Sequence, residues 1–434
     1  MKQFTAPAVS ISLPPGFTFS ESAHFQEGAF PNVNGKSTSN GTNGAHSSKG
    51  TNGHNGVADL EPPVSELRVP DLEVLRHFKG TFKGLGFNTI FRPNNKKAGI
   101  SELKVPPQGD DVKVTDNILQ LNLTAETQVF STPLSSDGNG AVPNRGLDDQ
   151  PDIGLDGISY VQTIIDLTEI KPNTRQPVIH FEPGLWMRVP PTDDPALPAS
   201  YARMGSIPHG TTINAQCFDE AVTTDGAPTI DKVSMTPFII GTVQAGSNLQ
   251  HFDSMKAKDD ATHRLPQNLD LFVKNGSITQ AMIDNPNIIL GEVNEKKNII
   301  KSTTFTVSTD SKAGGGTSNI GFLVAGKGTT NGPPSNADAV SMKATYWVST
   351  VRAEVELKLG QLGTVSPAAH GQHDGVPTFV VNEQITTGRT VTVEYTQIQY
   401  SQTVMLNFAG LSWPHISVAT LAPTDIPLKD AIVR

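Results

Sequence analysis

One cysteine in 434 residues leaves no partner for an internal disulfide and no thiolate set for a metal cluster. The lone Cys217 suits a reducing compartment and reads as a small buried residue. Charge is scarce too: Asp, Glu, Lys and Arg make up 17% of the chain, and the formal net charge is -9. No Lys/Arg-rich run interleaves with aromatics, which excludes nucleic acid as a partner because phosphate contacts need a basic face. No stretch approaches the ~18 uninterrupted apolar residues of a membrane-spanning helix. The N-terminal MKQFTAPAVSISLPPGF also lacks the apolar core of a signal peptide. The expectation is a soluble, cytoplasmic protein with no membrane partner.

Turn formers, by contrast, are abundant, with 39 Gly and 32 Pro. Together with many Val, Thr and Ile, they point to β structure with long loops. Residues 1–65 read as a disordered leader, because Asn32 to Gly56 is a Gly/Ser/Asn/Thr tract with almost nothing to bury. His46 and His54 in that tract are ordinary solvated residues. A short helix is expected over Asp71 to Phe78 with Asp71 as its N-cap. Strand candidates follow at Gly80 to Arg92, Ile118 to Phe130, Gly157 to Leu167, Pro177 to Val189, Tyr201 to Cys217 and Val233 to Gly241. Around Asn268 to Asn298 the spacing turns helical, with Asn285-Pro286 as a start signal. Strands resume at Lys301 to Thr309, Asn319 to Ala325 and Val340 to Lys358, and Arg389 to Pro423 holds two more joined at Ala409-Gly410-Leu411. The pattern predicts an all-β antiparallel barrel over residues 66–434 with a partly helical insertion at about 242–299 that is free to roof a pocket. Gly80, Gly84 and Gly86 suit a strand that bends or meets another backbone closely.

Period-2 alternation on the last strand puts Trp413, His415, Ser417, Ala419 and Leu421 on one face and Pro414, Ile416, Val418 and Thr420 on the other. Small Ser417 and Ala419 beside His415 leave room for a bulky ligand, although Ile416 and Val418 equally suit the buried side. On the preceding strand the apolar face switches from Val391, Val393 and Tyr395 to Ile398, Tyr400, Val404 and Leu406, which predicts a bulge near Thr396-Gln397. His370 and His373 (HGQH) have chelate-like spacing but fall in a polar loop and read as solvated. Gly410-Leu411-Ser412-Trp413-Pro414 fails the nucleophile-elbow pattern.

The segment QYSQTVMLNFAGLSWPHISVATL resembles the closing strands of nitrobindin-type heme barrels, which end in a Tyr-containing strand and then a His followed by small residues and leucine. More broadly, GTFKGLGFNTIFRP, LQLNLTAETQVF, VIHFEPGLWMRVP, ARMGSIPHGTTINAQ and LSWPHISVATL are similar to stretches of a bacterial and fungal family of heme-binding or fatty-acid-binding-protein-like barrels. These stretches span Gly80 to Leu421; the leader and the insertion have no nitrobindin counterpart. The resemblance implies a lipocalin/nitrobindin-like barrel holding heme b, with His415 as the proximal iron ligand and a small apolar molecule or peroxide as partner. His209 and His180 are candidates for acid–base work beyond the iron, and Arg92, Arg188 and Arg203 for pairing with heme propionates. Trp413 is taken with His415 on the cofactor side, though strand tryptophans commonly serve the core. Two other readings stand beside this one. A non-heme metal site could draw on His180, Glu182, His209 and His415, or a heme-free barrel could carry, cyclise or isomerise an apolar small molecule.

Overall fold

Alternation governs the observed architecture. Along Thr211–Gln216 the buried residues are Thr211, Ile213 and Ala215, and the exposed ones are Thr212 and Asn214. Ten such strands form the wall: β1 (Gly80–Pro93), β2 (Asn117–Phe130), β3 (Leu155–Asp166), β4 (Val178–Val189), β5 (Ser200–Ile207), β6 (Thr211–Gln216), β7 (Asn298–Ser308), β8 (Asp338–Leu357), β9 (Arg389–Phe408) and β10 (Leu411–Pro423). In this computed structural model the described residues are 72–93, 117–131, 141–142, 155–168, 176–189, 191–193, 196–207, 210–217, 219–258, 262, 264–310, 314–320, 338–408 and 410–433.

The wall strands pair antiparallel in the order β7-β8-β9-β10-β1-β2-β3-β4-β5-β6. The β6–β7 pairing at Gln216 and Ser308 brings the two ends together. Closure removes the edges that would otherwise expose unpaired backbone groups. The fold is therefore all-β, an antiparallel barrel. Gly316–Asn319 adds a short strand beside β6, and its Thr317 and Asn319 side chains donate to the Ala339 carbonyl of β8.

Close approach of β1 to β10 depends on Gly84. A Cβ there would lie 1.9 Å from the Thr420 carbonyl oxygen, so no side chain fits without moving backbone. At the end of the barrel where β1 begins, the lumen is plugged by a 3-10 helix, Glu73–His77. Leu72, Val74, Leu75 and Phe78 pack there among Phe82, Phe130, Trp186 and Tyr201. The Phe78 ring meets Phe130 at 5.0 Å and Trp186 edge-on at 5.6 Å, geometries in which aromatic pairs contribute roughly 0.5–1.5 kcal/mol beyond area burial. The helix starts after Leu72; the expected cap, Asp71, lies outside the described residues.

Two further clusters cover the outside of the wall. Residues between β6 and β7 include three short helices, α1 (Asp270–Lys274), α2 (Gln280–Asp284) and α3 (Ile288–Asn294). This excursion does not roof the lumen as expected from sequence. Its Met282, Ile283, Ile289 and Leu290 pack on the outward side chains Phe87, Phe91, Leu121, Ile416 and Val418. Within it, Val233 to Gly241 yields only the two-residue strand Phe238–Ile239. At the plugged end, Phe379, Val381 and Leu428 cover Val391, Val393 and Tyr395 of β9. That covering explains the face switch on β9: its register against β8 runs unbroken through Thr396 and Gln397, so the expected bulge is absent there. The apolar residues change sides because a different side is covered. Likewise Tyr201 to Cys217 is two strands, turned at Gly210 with φ +89°, rather than one.

Gly84→Ala is expected to lower the unfolding free energy by about 3 kcal/mol, as overpacking against backbone does, measured by urea denaturation. Wild-type stability in that variant would show that the two strands can part without cost.

Candidate functional site

The lumen beyond the plug carries the chemistry. On β10 the outward Ile416 and Val418 are 0% and 1% exposed beneath the α2–α3 excursion. Inward His415 and Ser417 on the same strand nevertheless keep partial exposure. With the outside sealed, that exposure is to the lumen. The His415 ring is held there. Its Nε2 lies 2.6 Å from Asn88 Oδ1, which also accepts from Ser417 Oγ at 2.9 Å, while Asn88 Nδ2 donates to Asn122 Oδ1 at 3.1 Å. An amide oxygen only accepts, so His415 Nε2 carries a proton and donates to Asn88. Ile90 and Val404, directly opposite His415 on the two neighbouring strands, give the rim an apolar share.

Deeper in, a polar layer fills the barrel. Arg203 of β5, 2% exposed, donates from Nη2 to Glu182 Oε1 at 2.8 Å, from Nε to Tyr160 Oη at 2.9 Å, and from Nη1 to Tyr346 Oη and Gln402 Oε1 at 2.6 and 2.7 Å. Tyr160 also donates to Glu182 Oε1, and His180 Nε2 approaches Glu182 Oε2 at 3.1 Å. Room for this knot comes from missing side chains, since a Cβ at Gly205 would sit 2.4 Å from Glu182 Oε1. Beside it, Glu126 accepts from Tyr400 Oη at 2.6 Å and from the Gln128 and Gln162 amides at 2.6 and 2.8 Å.

The two carboxyls are driven apart. Burial pushes the Glu182 pKa up, but the Arg203 charge and the His180 and Tyr160 hydrogen bonds overcome it and bring it down to about 2. At Glu126 burial outweighs its three hydrogen bonds and the influence of His180 and raises the pKa above the ordinary value. One is a fixed anion and the other is disposed to hold a proton.

The residues singled out from sequence separate into distinct places. His415 and His180 both face the lumen. Arg203 is inside but fully engaged, and Arg188 lies near the plugged end, bonded to Glu73 through Nε and Nη2 at 3.1 and 3.0 Å. Trp413 leaves the His415 face and packs with Phe91 and Phe252, centroids 5.7 and 6.0 Å away. His209 lies outside the described residues, as does the side chain of Arg92, whose backbone closes the β1–β2 ladder opposite Ile118. His373 is buried rather than solvated, and burial lowers its pKa. Cys217 is a buried thiol donating to the Asp219 carbonyl at 3.0 Å. Among the described residues no three His, Cys, Asp or Glu side chains gather as a metal ion would require. Sequence reasoning missed Asn88, Glu126, Tyr160, Gln162, Tyr346, Tyr400 and Gln402. Its available signal was Glu126, Gln128 and Phe130 alternating on one side of β2, polar residues on a strand face that closure turns inward. Three hollows of ≈ 480, 370 and 510 Å³ lie elsewhere, beside Phe252, Arg76 and Lys297 respectively.

No protein-family model matches the chain, and no curated protein is similar to it. Its class, a closed antiparallel β-barrel of ten strands, rests on the strand pairing alone.

Removing either member of the Glu182–Arg203 pair strands a buried charge. Arg203→Met and Glu182→Gln are each expected to cost about 3–5 kcal/mol, and the double variant less than their sum, measured by chemical denaturation. Because the Glu182 pKa is depressed in the folded state, its stabilising share is complete above the ordinary value of 4.5 and disappears as pH falls through about 2. The pH dependence of stability over that window should flatten in Glu182→Gln.

Proposed function

We propose that the protein is a ligand-binding β-barrel that takes a heme b group at its mouth, with His415 as the axial ligand. One observation carries the reading: on the closing strand, sealed by packing on its outer face, the inward imidazole keeps access to the lumen. The donor chemistry fits. Asn88 accepts from one ring nitrogen, and Asn122 in turn holds Asn88, the kind of outer support that sets the orientation of a ligating imidazole. Ile90 and Val404 offer apolar contact at the rim for a macrocycle. Arg188 and Arg203 do not fit as propionate partners, because their guanidiniums are committed to Glu73 and Glu182. Heme, when bound, supplies a redox-active iron suited to peroxide or another small substrate. The chain contributes the imidazole, its orientation by Asn88 and a lumen closed behind it.

Hemin titration tests this. A saturable Soret band is expected, lost in His415→Ala and weakened about 10–100-fold in affinity in Asn88→Ala. No saturable band, or one that His415→Ala leaves intact, would sink the reading. The same lumen would then be understood as a lipocalin-like site for an apolar small molecule, with the polar layer as its floor.

A further inference from the structure

The heme reading makes no use of His180, yet its surroundings are more specific than a satisfied structural histidine requires. On β4 its backbone stands opposite Ile164, and Glu182, two residues along the same inward face, stands opposite Gln162. The His180 side chain is 14% exposed and Glu182 is 0% exposed, so the imidazole borders the lumen while its carboxylate partner is out of water. Glu182 Oε1 already has Arg203 and Tyr160; Oε2 is turned to His180 at 3.1 Å. A carboxylate accepts only, so His180 Nε2 donates to it, which in the neutral ring leaves the lone pair on Nδ1.

We propose that His180 is a general base for a weakly acidic small molecule in the lumen, with Glu182 as the positioning residue that holds its tautomer and stabilises the imidazolium formed. Arg203 and Tyr160 fix Glu182 in turn, an arrangement of base, orienting carboxylate and clamp that follows the logic of catalytic dyads. Charged or titratable groups facing His180 from its own strand and beyond are Glu182, with Arg203 behind it, and Glu126 from β2. In the step, Nδ1 takes a proton from an acidic C–H or O–H of the ligand. The bonding pair stays with the ligand as an enolate, phenolate or leaving-group electron pair, and the proton later returns to ligand or water, so no co-reactant is needed. The ligand class is a small molecule with an acidic proton, such as a carbon acid beside a carbonyl.

The inference does not depend on heme, so it is tested on the full chain purified without added hemin. The probe is nitrobenzisoxazole: a base removes its ring C–H proton, the C–H pair completes a nitrile as the N–O bond breaks, and the oxygen departs as a coloured phenolate. Saturable turnover about 10²–10⁴-fold above that of free imidazole is expected. His180→Gln should return it to the free-imidazole rate. Glu182→Gln should lower kcat at least tenfold with little change in KM, a split that loss of packing alone would not produce. Circular dichroism confirms that His180→Gln is folded, which its place at the lumen edge favours. Wild-type turnover no faster than free imidazole, or a folded His180→Gln variant as active as wild type, overturns the proposal. Neither result depends on whether a Soret band forms.

Discussion

An arginine in the middle of a barrel is the constraint to which the other features answer. Moving a guanidinium out of water costs several kcal/mol, and the wall returns it only by meeting the fork at every donor the geometry allows. Glu182, Tyr160, Tyr346, Gln402 and Gln162 all point at Arg203 from four other strands. Each must be at the right height, so register is specified as much by hydrogen bonding as by apolar alternation. The same requirement explains why glycines stand at Gly184 and Gly205: where the acceptors converge, the strands across from them carry no side chains. Whether or not the lumen binds a ligand, its floor is a polar surface tied together by hydrogen bonds.

Much of the wall was legible beforehand. The long runs Ile118 to Phe130, Pro177 to Val189 and Val340 to Lys358 fall within two residues of β2, β4 and β8 because β-branched and aromatic residues fill a pleated wall. Reading failed where one strand borders two environments. Val391 to Tyr395 and Ile398 to Leu406 suggested a bulge because alternation assumes one buried face, whereas β9 is covered first outside and then inside. It failed again at Val233 to Gly241, where only Phe238 and Ile239 join the ladder, beside Ser412 and Leu411 of β10, while Val233 and Met235 pack on the barrel's outside. Trp413 illustrates a third limit: at a strand end, a large ring can swing to the cluster that offers aromatic partners.

The site was half legible. His415 stood out because it is a single imidazole among small neighbours, and its inward direction follows once β10 is paired between β1 and β9. Its partner Asn88 did not stand out, since GLGFNTIF offers no motif and the contact joins residues 327 apart in sequence. The same holds for Arg203, a plausible surface cation by type whose true setting is revealed only by acceptors contributed from β3, β4, β8 and β9. Long-range convergence of ordinary polar residues leaves no local trace.

Among the described residues, the helix that stoppers the lower end leaves the opposite end as the way in and out. Whatever enters must leave by the same route, so two guests can be held together only in a fixed queue, with the first arrival deepest against the polar floor and the later one nearer the exit. A molecule resting on that floor would be trapped until the one above it departed, which gives the vessel an order of loading and unloading set by its shape.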